Sequence, residues 1–108
     1  MNLRWRKAAL LEARDIRQLI ALDHPRVSRE WRQKLERRIE ILRRWPRAGR
    51  VIPEFGEENL RELIFGSYRI WYLVTKDAVE IMRIWDARRE APTEVREAPV
   101  EFLVQGFR

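Results

Sequence analysis

Four charged side chains in the second half of the chain have the types that acid–base and phosphate chemistry requires. They are Glu62, Arg69, Arg83 and Asp86. A carboxylate can act as a general base and a guanidinium can stabilise a pentavalent phosphate, so the set is compatible with a metal-free ribonuclease. The four residues form one site only if neighbouring strands bring them to the same face. The spacing therefore permits catalysis without requiring it.

Several other kinds of active site are excluded by the residues that are missing. The one histidine, His24, precedes Pro25 at a break between two helical patterns, which is a poor position for a general base. With no cysteine and one histidine the chain cannot form a typical zinc site, and we expect no metal and no cofactor. The sequence has no Gly-rich phosphate-binding loop, and neither Ser28 nor Ser67 lies in a nucleophile motif.

Cysteine usage and hydropathy indicate the compartment. A chain without cysteine is consistent with a reducing cytoplasm. No apolar run approaches the roughly 20 residues that a membrane span needs, and none follows the N-terminal charges as in a signal peptide. We therefore expect a cytoplasmic protein with no membrane partner.

The charge balance favours anionic partners. The chain has 108 residues, the size of one domain, and carries 23 Lys and Arg against 17 Asp and Glu, a net charge of +6. All but three of the cations are arginine, which makes planar, bidentate contacts with carboxylate and phosphate. Nucleic acids and acidic protein surfaces are both candidate partners. An Arg-rich composition is also common in GC-rich or thermophilic organisms, and that explanation stays open.

The first half of the chain has the period of two helices. Apolar residues recur at intervals of four and three within Ala8–Leu22 and again within Pro25–Trp45. The short link between them predicts an antiparallel helical hairpin, and Pro46 ends the second helix. Residues 26–50 hold ten cations against three glutamates. That basic face is either solvated or binds a partner.

The second half has the period of short strands rich in β-branched and aromatic residues. The predicted strands are Arg61–Phe65, Tyr68–Thr75 and Val79–Trp85. The links Gly66-Ser67 and Lys76-Asp77 suit tight turns, so the three strands form an antiparallel meander. Leu3–Arg6 predicts a further, N-terminal strand. The fold class is α+β, with an N-terminal strand, a helical hairpin packed on one face of the sheet and then the meander.

Alternation along the last strands leaves the role of their arginines open. In the middle strand Ile70 and Tyr72 lie opposite Arg69 and Trp71. In the last strand strict alternation groups Ile81, Arg83 and Trp85 on one face and Glu80, Met82, Ile84 and Asp86 on the other. An unpaired buried guanidinium is costly. Arg69 and Arg83 therefore either form structural ion pairs or line an open concave surface.

The C-terminal segment has no clear period. We assign residues 1–91 to the domain and residues 92–108 to an extension that packs on the domain or on a partner. The apolar run within residues 100–104 needs a surface to cover. It either docks on its own sheet as an edge strand or meets another chain.

A series of short motifs links this chain to a known family. Gly49–Phe55 is followed by Asn59–Ile64 and Tyr68–Tyr72, and the series closes with Ile84–Arg89. In this order the motifs resemble the RelE/ParE superfamily of bacterial toxins, and more closely its ParE branch. The resemblance covers residues 1–90, and the predicted order of helical hairpin and meander agrees with the fold of that family. Asp86 stands where the family often has histidine.

The resemblance implies the toxin of a type II toxin–antitoxin pair. A cognate antitoxin would neutralise it through an extended segment that wraps the helices and the sheet, in a complex with two copies of each chain or more. The antitoxin-binding residues would be Trp31, Leu35, Arg38, Leu42 and Trp71. ParE-like members are associated with inhibition of DNA gyrase, and hence with growth inhibition and plasmid stabilisation.

The resemblance also separates two modes of action. A ParE-like toxin acts by binding, and its predicted target-binding residues here are Arg61, Arg69, Arg83, Arg88 and Arg89. RelE-like members instead cleave mRNA on the ribosome and tend to use several basic residues with a late Tyr or His. No Tyr or His follows Tyr72, and Asp86 cannot serve as a cationic acid. This departure favours the ParE mode. A RelE-type endoribonuclease and a non-toxic relative remain as alternatives.

Overall fold

The chain forms a mixed β-sheet with two helices packed on one face, as seen in a computed structural model that describes residues 1–92 and the backbone of residues 102–103. The helices are α1 (Lys7–Asp23) and α2 (Pro25–Glu40). The strands are β1 (Asn2–Arg6), β2 (Arg50–Val51), β3 (Leu60–Phe65), β4 (Tyr68–Val74), β5 (Ala78–Asp86) and β6 (Phe102–Leu103). The strand order is β2-β3-β4-β5-β1-β6, in which β1 runs parallel to β5 and all other neighbours are antiparallel. The predicted α+β class, with its helix pair and meander, is confirmed.

The helical hairpin turns at a single residue, His24. Pro25 occupies the first turn of α2, where its missing N–H costs nothing. The Ser28 hydroxyl donates to the Arg17 carbonyl oxygen at 2.7 Å, which shows that α2 folds back along α1. At this turn the sequence pattern ends the first helix at Leu22 and begins the second at Pro25, within one residue of the observed boundaries.

The second helix ends earlier than its apolar period predicts. The α-helix stops at Glu40, a 3-10 turn covers Ile41–Arg43, and Trp45 lies outside the helix. Pro46 contributes to the change, because it disfavours helical geometry at Trp45 and has no N–H to bond the carbonyl of Leu42, and helix ends commonly tighten into a 3-10 turn. The predicted end at Trp45 is therefore wrong.

The meander follows the predicted order of strands. The turn between β3 and β4 has Gly66 at φ +58° and no positive φ at Ser67, the pattern of a type II′ hairpin turn that favours glycine at its first central position. The link between β4 and β5 contains three residues, because Thr75 leaves the strand to bond with Ala78. Two pairings were not predicted: the short edge strand β2 and the parallel contact between β1 and β5.

The two faces of the sheet carry separate apolar clusters. The helix-facing cluster takes Leu63, Ile70, Tyr72, Val74, Val79, Ile81 and Ile84 from β3 to β5. The opposite cluster contains Ile52, Leu60, Trp71, Met82 and Trp85. Strict alternation is wrong in β5, because Ile81 and Ile84 share a face while Met82 and Trp85 share the other. A β-bulge opposite Trp71 and Tyr72 inserts one extra residue and reverses the alternation beyond it.

The C-terminal strand lies at the edge of the sheet. Phe102 pairs with Arg6 and Leu103 with Trp5, so the backbone of these two residues extends the sheet beyond β1. The rest of the predicted extension lies outside the described residues. The domain boundary that we assign at residue 91 therefore stays a prediction. Within the described residues no helix combines the length and apolar character needed to cross a membrane.

Candidate functional site

Glu62 is the centre of an ionic network on the sheet face that points away from the helices. Its side chain has no exposed surface. Oε2 accepts from the Arg50 guanidinium at 2.6 Å, and Oε1 accepts from Arg69 Nε at 2.5 Å and from Trp71 Nε1 at 3.0 Å. A second carboxylate, Glu54, completes what we call the Glu62 network. Charge-assisted bonds of this kind compensate the desolvation of a buried carboxylate.

Arg69 is held on all sides within the Glu62 network. Its Nη1 and Nη2 donate to the two oxygens of Glu54 at 2.6 and 2.7 Å, while Nε binds Glu62. Its guanidinium carbon also lies 5.4 Å from the centre of the Trp71 ring and 4.8 Å from that of Trp85. The bonds from Arg69 lower the pKa of Glu54, and those from Glu54 and then Glu62 raise the pKa of Arg69. Of the two alternatives for Arg69, the structure shows the structural ion pair.

Arg61 ties two loops together beside this network. Its Nη1 donates to the Gly49 carbonyl oxygen at 2.8 Å, and its Nε and Nη2 bind the backbone and side chain of Glu58 at 3.0 and 2.6 Å. Gly49 is required here because a Cβ on it would lie 2.3 Å from the Glu62 carbonyl oxygen. Since the Arg61 side chain is 12% exposed, it serves mainly to hold the loops on either side of β2.

Arg83 pairs with a residue of α1 rather than with the Glu62 network. Its Nε and Nη2 donate to Glu12 at 3.0 and 2.9 Å, and Glu12 also accepts the backbone N–H of Ile84 at 3.1 Å. The bidentate contact fastens the end of β5 to the first half of α1. The four residues predicted for a nuclease thus do not form one set. Only Glu62 and Arg69 are in contact, while Arg83 and Asp86 each bind another partner.

Asp86 organises the turn that follows β5. Its carboxylate accepts the Arg88 backbone N–H at 2.9 Å and the Arg88 guanidinium at 2.6 to 3.2 Å. These bonds lower the pKa of Asp86 to about 2, so it is a poor general base at neutral pH. The Arg88 side chain is nevertheless 77% exposed, and Arg89 is exposed beside it. We call Asp86–Arg89 the β5 turn.

A groove runs between the β5 turn and α1. It encloses about 470 Å³, with Asp15, Ile16 and Leu19 on the helix side and Trp85 at the sheet. Arg88 and Arg89 form part of its rim. Among the described residues, no acceptor bonds the buried indole nitrogen of Trp85. The lining of the groove therefore combines apolar side chains with the exposed arginines and with three carboxylates, those of Glu12, Asp15 and Asp86.

The predicted antitoxin-binding residues divide into two groups. Leu35, Leu42 and Trp71 have no exposed surface, so a partner that binds this conformation must contact other atoms. Trp31 is half-buried and contacts the rings of Phe65 and Tyr68, while Arg38 donates to the Ile64 carbonyl oxygen at 3.3 Å. The large apolar side chains exposed on the helical hairpin are Leu11, Leu19, Leu22 and Val27.

Two carboxylates of these networks, Glu12 and Glu54, were missed by the sequence analysis. Glu12 follows Ala9 by three positions and so borders the apolar stripe of α1, a signal that it faces the sheet. Glu54 lies in a loop, where no period predicts its direction. Within the described residues, no three His, Asp or Glu side chains are grouped so as to hold a metal ion.

The fold and sequence have counterparts among known proteins. The structure matches a chain of the chromosomal ParDE toxin–antitoxin system from P. aeruginosa with a TM-score of 0.68, over 80% of this chain and 95% of that chain. The identity between the two is 18%, so this likeness shows the fold alone. A comparison with curated proteins finds no significant match. Residues 3–91, however, match the family described as the ParE toxin of the type II toxin–antitoxin system parDE. The chain therefore belongs to the ParE family of type II toxins, within the RelE/ParE superfamily.

Proposed function

We propose that this toxin acts by binding DNA gyrase, with no catalytic step of its own, and that a cognate antitoxin neutralises it. The observation that carries the proposal is the difference in burial and pairing among the charged side chains. The carboxylates and arginines that a nuclease would need are engaged in ion pairs, whereas Arg88 and Arg89 stand exposed at the β5 turn. The proposal places the protein in the cytoplasm, where gyrase acts.

None of the three carboxylates Glu54, Glu62 and Asp86 is a ready proton acceptor, which argues against cleavage of RNA by this part of the described structure. Glu62 is fully buried and bonded to two arginines, and Glu54 is bonded to Arg69. Asp86 has its pKa lowered to about 2 by Arg88. A general base works best with a pKa near the operating pH and must reach the substrate. None of these carboxylates meets both conditions, so binding is the mode of action that the geometry favours.

The β5 turn and its groove are the surface that we assign to the target. Of the five predicted target-binding arginines, Arg61, Arg69 and Arg83 are held inside structural ion pairs. Arg88 and Arg89 are the two that present their side chains to solvent. An exposed ion pair is screened by water and exchanges partners readily, so Arg88 can leave Asp86 for a carboxylate or phosphate of the target.

The helical hairpin is the surface that we assign to the antitoxin. Leu22 and Val27 are 80% and 48% exposed around the turn between the helices, and Leu19, which is 65% exposed, is shared with the groove assigned to the target. Trp31 and Arg38 lie further along α2 and remain partly accessible. A segment with apolar side chains would remove this surface from water. We expect a complex with two copies of each chain or more.

A gyrase supercoiling assay with the purified protein tests the target. We expect loss of supercoiling with accumulation of cleaved DNA, and we expect both effects to disappear in the double variant Arg88→Glu/Arg89→Glu. The matched control is Arg26→Glu/Arg29→Glu, which makes the same change in charge at exposed positions of α2. Normal supercoiling in the presence of folded wild-type protein would contradict the proposal.

The RelE-type alternative rests on one observation, the contact between Glu62 and Arg69 beside two tryptophans. It predicts site-specific cuts in messages after induction of the toxin, and the cuts should vanish in Arg69→Ala. Mapping of RNA ends distinguishes the two modes, because a gyrase inhibitor leaves those ends unchanged. Harmless overexpression without antitoxin would instead indicate a non-toxic relative.

A further inference from the structure

Trp45 is an exposed tryptophan on a rigid turn. Its backbone N–H donates to the Ile41 carbonyl oxygen at 2.8 Å, and its own carbonyl oxygen accepts from Ala48 at 3.0 Å. The side chain is nevertheless 59% exposed. A large apolar ring held in one place at the surface adds little to the fold and much to an interface, where tryptophan is enriched among the residues that dominate binding energy. The position of Trp45 therefore requires an explanation other than stability.

A cavity of about 670 Å³ lies beside this ring, and we call it the Trp45 pocket. Its apolar walls come from Met1, Trp45, Pro46 and Val74. Thr75 also lines it and is fixed by hydrogen bonds with Ala78 at 2.8 to 3.0 Å. Both rims thus belong to hydrogen-bonded turns. A preformed pocket of this size accepts a large apolar side chain without the cost of ordering a loop.

The charged residues around the Trp45 pocket have one sign. Arg44 and Arg47 line it, and no acidic side chain does so among the described residues. Arg47 is engaged by Glu58 and Asn59 at 3.1 and 3.0 Å. Arg44 lies over the Trp45 ring at 5.2 Å, and within the described part of the chain no carboxylate pairs with it. Its guanidinium is available to an incoming carboxylate.

The Trp45 pocket is separate from the β5 turn. Val74 ends β4, and Tyr68, which pairs with Asp86, begins it. Seven residues of extended strand place the two ends about 20 Å apart. A ligand in this pocket therefore leaves Arg88 and Arg89 uncovered.

We propose that the Trp45 pocket binds an acidic peptide segment of a partner protein. One apolar side chain of the segment inserts against Trp45, Pro46 and Val74, and a neighbouring carboxylate pairs with Arg44. Charge complementarity selects an acidic partner, and the concave apolar walls select a peptide over a nucleic acid. Single-stranded nucleic acids use successive exposed rings along a basic track, whereas this pocket offers one ring that Arg44 already covers on one face. The protein would then have a second binding site, separate from its proposed contact with gyrase.

The tryptophan side chains provide a direct readout of peptide binding. The chain has five indole N–H groups, on Trp5, Trp31, Trp45, Trp71 and Trp85. We would titrate labelled protein with a short synthetic peptide of glutamates around one leucine and follow these five signals by NMR, with Trp45→Phe to assign one of them. The Trp45 signal is expected to shift and saturate. A shift of the Trp31 or Trp85 signal with Trp45 unmoved would overturn the proposal.

Two matched controls test the chemistry of the pocket. A peptide with glutamine in place of glutamate should bind the wild-type protein about tenfold more weakly. The glutamate peptide should bind the Arg44→Glu variant more weakly by a similar factor. Arg29→Glu, which makes the same change at an exposed arginine of α2, should bind like wild type. Equal binding of the neutral peptide, or a Trp45 shift with oligothymidylate and none with the acidic peptide, would refute an acidic peptide site. Because the assay contains no gyrase, failure of the target proposal does not affect its outcome.

Discussion

The Glu62 network and the β5 turn use the same chemistry in different surroundings. In both, an arginine binds a carboxylate at about 2.6 Å. In the network Glu62 is completely buried and Arg69 is 12% exposed, while Arg88 in the turn is 77% exposed. A buried charge without its partner is costly, but an exposed charge finds water instead. Burial, and not residue type, therefore separates Arg69, which holds the fold, from Arg88, which we propose contacts a target.

The largest effect should come from breaking the buried network. Glu62→Ala removes the acceptor of the Arg50 guanidinium, of Arg69 Nε and of the buried Trp71 indole N–H, and we expect the free energy of unfolding to fall by about 3–5 kcal/mol. Urea unfolding followed by circular dichroism measures it. Glu40→Ala is the control, since Glu40 is 62% exposed in its pair with Arg43 and should change stability by about 1 kcal/mol or less. Equal losses in the two variants would remove the distinction between buried and exposed pairs.

A smaller loss is expected from the ion pair between Glu12 and Arg83. These side chains are 24% and 28% exposed, so the exposure of this pair lies between that of the buried Glu62 network and that of Arg88 in the β5 turn. We expect Arg83→Ala to lower the free energy of unfolding by about 1–3 kcal/mol. A double-mutant cycle with Glu12→Ala isolates the pairwise energy. A coupling indistinguishable from zero would show that the contact does not fasten α1 to β5.

Replacement of the exposed arginines should separate stability from activity. In Arg88→Glu/Arg89→Glu we expect an unfolding midpoint close to that of wild type, because neither side chain is buried. Growth inhibition on induction without antitoxin should be abolished if these residues contact the target. Thermal unfolding and a growth assay on the same variant check the two expectations. A large fall in melting temperature would assign Arg88 and Arg89 to the fold and contradict the comparison.

The smallest expected effect is on the protonation of Asp86. Arg88 lowers its pKa from 3.8 to about 2, so the carboxylate stabilises the turn above the unfolded pKa and loses this contribution as the pH falls towards 2. A carbon-detected NMR titration should therefore give a midpoint near pH 2. In Arg88→Ala the midpoint should return towards 3.8. An unchanged midpoint in that variant would show that another group holds Asp86 ionised.

For the charged side chains of the candidate site that lie on the meander strands, the sequence predicts which strand carries each one and, in β4, on which face it lies. The period of β4 places Arg69 opposite Ile70, and the structure confirms that the two lie on different faces. One of the two carboxylate partners of Arg69 was not predictable, because Glu54 lies in a loop with no period. The alternation predicts the wrong faces for Ile84 and Trp85, since one extra residue in β5 reverses the alternation and no sequence signal marks the bulge.

The sequence by itself determined the fold class and the order of the helices and the longer strands in this ParE-family toxin. Helical and strand periods, the proline at each helix break and the glycine of the first hairpin are local signals, and they act through backbone geometry within a few residues. Only the tertiary structure decided which charges meet. Glu12 and Arg83 are 71 positions apart, and their contact depends on how α1 crosses the end of β5. Burial then decided the roles of these charges, because the free energy of an ion pair depends on its exposure to water. That exposure is set by the folded surroundings and not by the residue type.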